Sequence, residues 1–104
     1  MIRHVVCFRL RSEHPEKRAA DAQRLIDLLR PLRDRIPDVL SLEVGADLGT
    51  DAGHWDVVLV SGHPDADALR SYQTHPHHLE VLGIVARLVS DKAIVDMVVE
   101  DDTP

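Results

Sequence analysis

Apolar and polar residues alternate from Ile2 to Leu10, with Ile2, His4, Val6, Phe8 and Leu10 on one side and Arg3, Val5, Cys7 and Arg9 on the other. A period of two predicts a β-strand with one strongly apolar face and one mixed face. Ser12-Glu13-His14-Pro15 follows, and Pro15 suits a first helical turn, where a missing N–H costs no hydrogen bond. Ala22, Leu25, Ile26, Leu29, Leu32 and Ile36 then recur at helical spacing, with Pro31 kinking the helix or ending its regular part. Val39–Leu48 predicts a second strand, its side chains Leu40, Leu42, Val44 and Ala46 on one side and Gly45 marking a bulge. Gly49–Gly53 has the composition of a hairpin loop. His54–Ser61 is apolar on both faces through Val57, Val58, Leu59 and Val60, so this third strand is expected at the centre of its sheet.

Asp65 or Asp67 can cap a short helix carrying Ala66, Leu69 and Tyr72. Pro76 opens another, with Leu79, Leu82, Val85 and Ala86 apolar. Lys92–Glu100 closes the domain, residues 1–100, as a fourth strand, and 101–104 form a polar tail expected to fray. The order β-α-β-β-α-β, with the second helix broken, predicts an α+β fold. A four-stranded antiparallel sheet would carry its helices on one face. Its other face, holding Val5, Cys7, Val58 and Val60, is too apolar to stand in water. The expected outcome is a homodimer with two sheets packed face to face, closing as a barrel; the alternative is a face covered by the chain's own loops.

Composition narrows the function classes. A chain of 104 residues suits one domain, and 44% hydrophobic with 29% charged residues lies in the globular range. The lone Cys7 excludes an intrachain disulfide and any multi-cysteine metal site, which fits a cytoplasmic location. The start of the chain lacks the basic, apolar and small-residue segments of a secretory signal, and no apolar run is long enough to span a membrane. A net charge of −6 opposes binding to nucleic acid.

Histidine is abundant, with seven residues, and aromatics are scarce, so the core is expected to be aliphatic. Ser71-Tyr72-Gln73-Thr74-His75-Pro76-His77-His78 concentrates the chemistry. Residues three apart share a helix face, which puts His75 and His78 on one side while His77 diverges. A histidine base beside a tyrosine hydroxyl can remove a proton next to a carbonyl: the imidazole takes the proton and the phenol hydrogen-bonds the developing enolate. The plainer reading has His75 capping the helix at Pro76, with His77 and His78 solvated. His4, among apolar neighbours, is either a core residue with satisfied hydrogen bonds or a polar group in an apolar pocket. The candidate catalytic residues are therefore His78, Tyr72 and His4, and the candidate substrate contacts are Phe8, Trp55 and His75. Trp55 reads more readily as a core plug than as a pocket wall, and His14, His54 and His63 read as turn residues. No metal site is expected, because the histidines lack the three or four convergent ligands of a zinc centre. Cys7 faces away from His4, and neither a serine nucleophile elbow nor a glycine-rich phosphate loop is present.

Met1-Ile2-Arg3-His4-Val5-Val6-Cys7-Phe8, Ile36-Pro37, Glu43-Val44-Gly45, Trp55-Asp56, Tyr72…His75-Pro76…His78 and Val95-Asp96 together resemble the stress-responsive A/B barrel (Dabb) domain family. The resemblance spans essentially residues 1–100 and implies a ferredoxin-like fold and a homodimeric α/β barrel. It extends to a plant polyketide cyclase of the family that performs an aldol condensation without a cofactor. There the base and its assisting tyrosine would fall on His78 and Tyr72, and a pocket histidine on His4. A second strand-borne histidine of that pocket falls on Val57, so the cyclase's substrate environment is not reproduced. The resemblance implies cofactor-independent carbonyl chemistry of cyclase or lyase type on a small carbonyl or aromatic ligand. The competing readings are a non-catalytic stress-responsive binding protein and a cofactor-free monooxygenase.

Overall fold

The computed structural model of the chain describes residues 1–100, so the expected fraying of 101–104 lies outside the described residues. The chain runs β1 (Ile2–Leu10), α1 (Pro15–Leu29), α2 (Leu32–Arg35), β2 (Ser41–Ala46), β3 (Val57–His63), α3 (Ala66–Thr74), α4 (Pro76–Leu88) and β4 (Val89–Val98). The four strands form one antiparallel sheet in the order β2-β3-β1-β4, the ferredoxin-like arrangement. β3 lies between β2 and β1, as its two apolar faces require.

Proline and cap residues set the helix boundaries. Pro15 occupies the first turn of α1, and Pro31 stands at the N-cap of the short α2, so the long helical stripe is divided in two. Asp65, not Asp67, caps α3, its carboxylate accepting from the Ala68 N–H at 2.8 Å. His75 ends α3 and begins α4 in extended conformation, and its Nδ1 accepts from the His77 N–H at 3.2 Å.

Long-range pairing shifts the strands from their predicted bounds. β3 runs on to His63 because its ladder with β1 continues to Ile2↔His63. β4 starts at Val89, directly after α4, and its irregularity falls between Arg9 and Leu10 on β1. The register passes Gly45↔Val58 unbroken, so the bulge expected at Gly45 is absent. Asp56 ties the start of β3 to the end of β1: its carboxylate accepts from the Leu10 N–H at 2.8 Å and pairs with the Arg18 guanidinium.

The core fills the space between the sheet and the helices. Val6, Phe8 and Leu10 of β1 meet Leu25, Ile26 and Leu29 of α1 there, with Leu69 and Tyr72 of α3 and Val81 and Val85 of α4. The helix-side residues of β4 are less covered, and Ile94 remains 50% exposed. On the opposite face Val5 and Cys7 register against Val60 and Val58 of β3 and against Val95 and Ala93 of β4. These side chains make a continuous apolar strip that no helix among the described residues covers; Val95 is 60% exposed and Met97 46%.

Candidate active site

A chamber of about 210 Å³ opens where α4 fails to cover β4. Val6 and Phe8 of β1, Leu82 of α4 and Ile94 of β4 supply its apolar walls, and His4, Tyr72, His78 and Lys92 supply its polar groups. Three of the sequence candidates, His4, Tyr72 and His78, therefore meet in one space, with Phe8 beside them.

His78 is positioned by the break in the helix. In a continuous helix the Gln73 carbonyl would accept from the N–H four residues on, but the turn at His75-Pro76 leaves it free. The His78 Nδ1–H donates to that carbonyl at 2.9 Å. Because a carbonyl only accepts, the proton is held on Nδ1 and Nε2 keeps its lone pair. Burial pushes the His78 pKa below the usual histidine value; the Gln73 carbonyl opposes this, and the charges of His4 and Lys92 add to it. The ring is thus a neutral base at neutral pH.

His4 is held through a different partner. The register His4↔Asp96 sets the two residues side by side on neighbouring strands, and the His4 Nδ1–H donates to the Asp96 carboxylate at 2.5 Å. The imidazole is buried, while the Asp96 side chain is 41% exposed. Its Nε2 is again the uncommitted nitrogen.

Tyr72 lies between the two imidazoles, with ring centroids 4.6 Å from His78 and 6.3 Å from His4. It is 1% exposed, and burial lifts its pKa to about 12, so the phenol stays protonated and donates. Among the described residues no hydrogen-bond partner engages the Tyr72 hydroxyl, nor is any fully buried side-chain polar atom left without one. The hydroxyl's bonding capacity is open to the chamber it lines.

His63 was expected at a turn and is instead fully buried on β3, a correction with a simple cause. It shares the parity of Val57, Leu59 and Ser61, so extending the period of two by one more step would have found it. Its Nδ1–H donates to the Asp38 carbonyl at 2.7 Å, and the Ser61 hydroxyl donates to its Nε2 at 2.8 Å. Burial lowers its pKa, against the opposing pull of the Asp38 carbonyl. Both nitrogens being engaged, His63 supports the Tyr72 ring, 4.9 Å away centroid to centroid, and is no free base. Asp96 was likewise missed as a partner, because its role depends on pairing across the sheet.

Two candidate substrate contacts lie elsewhere. Trp55 is neither a core plug nor a wall of the chamber: half-buried, it stacks beneath the Arg9 guanidinium at 4.4 Å, beside Cys7 and Val58 on the open face. His75 caps α4, with the His77 ring stacked on it at 5.2 Å, outside the chamber. Among the described residues no three histidine, cysteine or acidic side chains converge as a metal site would require.

Fold and site together define a ferredoxin-like α+β protein with a small polar-floored chamber between sheet and helices. Residues 2–99 match the stress responsive A/B barrel domain, and the chain belongs to that family, as its motifs resemble. No curated protein matches the chain significantly. Among solved structures, a dimeric protein of unknown function from Bacteroides fragilis is 28% identical, with a TM-score of 0.80 over 92% of this chain and 93% of that one. A dimeric ferredoxin-like protein of unknown function from Thermobifida fusca is 32% identical, with a TM-score of 0.79 over 94% of this chain and 90% of that one. A hydroxynitrile lyase from Passiflora edulis shares the fold at 18% identity, with a TM-score of 0.78 over 99% and 96% of the two chains. Among the described residues no helix is long and apolar enough to cross a membrane.

Proposed function

We propose that the chain is a cofactor-independent acid–base catalyst of carbonyl chemistry, of the cyclase or lyase class, working as a cytoplasmic homodimer. The observation that carries this reading is the protonated Tyr72 hydroxyl, open to a small chamber between two imidazoles whose Nδ1 protons are already committed. His78 takes the proton from the carbon next to the carbonyl at Nε2. Tyr72 donates to the carbonyl oxygen, where negative charge grows as the enolate forms. His4, held by Asp96, orients the substrate.

The homodimer follows from the apolar strip on the open face, since two such strips packed together remove both from water. The B. fragilis and T. fusca proteins are described as dimeric, which supports the same assembly here. The P. edulis enzyme supports carbonyl chemistry on this scaffold, while the argument for this chain rests on its own side chains. The unpaired Cys7 agrees with a reducing compartment.

The test is exchange of the protons next to the carbonyl of small ketones in D₂O, followed by NMR. The intact chain accelerates exchange, His78→Ala lowers the rate by about 10²–10⁴-fold and Tyr72→Phe by about 10²–10³-fold. Rates that neither substitution moves overturn the catalytic reading. Ligand binding by the intact chain without any exchange would leave a binding protein in its place.

A further inference from the structure

Lys92 is the feature of the chamber that this reaction does not use. It sits on β4 opposite Phe8, its side chain on the helix side of the sheet, and it lines the chamber with His4 and His78. In a chain of net charge −6 a cation at the mouth of the chamber is notable, and among the described residues its ammonium forms no ion pair. The nearby charged groups are committed elsewhere. Asp96 is four residues along the strand, about 13 Å away at the usual rise, and accepts from His4. Asp91 accepts from the Lys92 backbone N–H at 2.9 Å. Arg11 donates to the Ala86 and Val89 carbonyls at 3.3 Å and 3.0 Å.

Lys92 also stands where two spaces join. A groove of about 400 Å³ between α4 and β4 shares Leu82, Val85 and Lys92 with the chamber. The chamber is the smaller of the two spaces, so a ligand whose reacting part fills it and whose remainder extends into the groove passes Lys92. One ammonium without a cradle of backbone N–H groups suits a single negative charge. We infer that the substrate is an oxo acid: its carbonyl lies between Tyr72 and His78, and its carboxylate pairs with Lys92 at the junction with the outer groove. Lys92 is then the specificity-determining residue. This inference rests on the carbonyl reading of the chamber.

The test compares 4-oxopentanoate with its methyl ester and with pentan-2-one, probes that share a ketone and differ in charge. Binding is followed at the ring protons of His4 and His78, and turnover by exchange in D₂O. The oxo acid binds about tenfold tighter than the ester, the size of a charged hydrogen bond, and added salt erodes the preference. Lys92→Met raises KM for the oxo acid to that of the ester, and Lys92→Glu reverses the preference. Lys92 is exposed on an edge strand, so neither change threatens the fold. Equal binding of acid and ester, with both reporting at His78, overturns the oxo-acid assignment and leaves the carbonyl reading standing. If no probe moves His4 or His78 and none exchanges, both fail.

Discussion

On the helix-covered side of the sheet, His4, Ser61 and His63 are buried among Val6, Phe8 and Leu59; on the open side Val5, Cys7, Val58, Val60, Val95 and Met97 face outward. Three polar residues are thus buried within an apolar core, and an apolar strip stands uncovered on the opposite face. The covered face tolerates its polar groups because each has a fixed partner, and an unpaired one would cost about 1–3 kcal/mol. The open face has no such resolution within one chain. The difference teaches that one face satisfies its polar groups within the chain, while the other leaves its apolar strip uncovered, as the proposed sheet-to-sheet dimer requires.

The comparison breaks most completely at the open face. Val58→Asp places a charge at the centre of the apolar strip, beside Cys7 and Gly45. An unpaired charge in a buried interface costs about 3–5 kcal/mol, so sedimentation should show the dimer replaced by monomer with little loss of helix by circular dichroism. A dimer as tight as the parent's would mean that this strip is not the interface.

A pH series sharpens the covered face. The folded chain holds the His63 pKa below the ordinary 6.5, so between those two values the unfolded chain binds the proton and the folded chain does not. Stability is therefore full above pH 6.5 and falls as the pH drops below it, by at most about 1.4 kcal/mol per pH unit for this residue. Urea midpoints taken from pH 8 to pH 5 measure the decline, and His63→Gln should make it shallower, leaving the share of His78, whose pKa is also lowered. An unchanged slope in that variant would assign the decline to other groups.

The smallest effect belongs to the histidine outside the chamber. His75→Ala removes a cap and should cost about 1 kcal/mol in thermal unfolding, while exchange rates stay at the parent's. A loss of turnover as large as that of His78→Ala would bring His75 back into the site.

Much of the fold was legible because its signals are local. The alternation of Ile2–Leu10, the helical stripe from Ala22 to Ile36 and the stop at His75-Pro76 each lie within one element. Tyr72 and His78 could be paired from the same short segment, since one helix break carries both. Trp55 could not be placed, because its surroundings come from Arg9 and Cys7 on another strand. His63 was missed because the third strand was ended at Ser61, although the parity of β3 already pointed inward at 63.

By itself the sequence determined the element order, the apolar stripe of each element and the abundance of imidazoles available for chemistry. Periodicity records which way a side chain points, and that is a property of neighbours in the chain. Only the tertiary structure decided which imidazoles share one chamber and what holds each of them. Whether His4 meets Asp96, 92 residues away, whether His63 is sealed between Ser61 and Asp38, and whether Lys92 reaches the chamber all depend on strand register. Register is set by the collective burial of whole faces, which no single segment encodes.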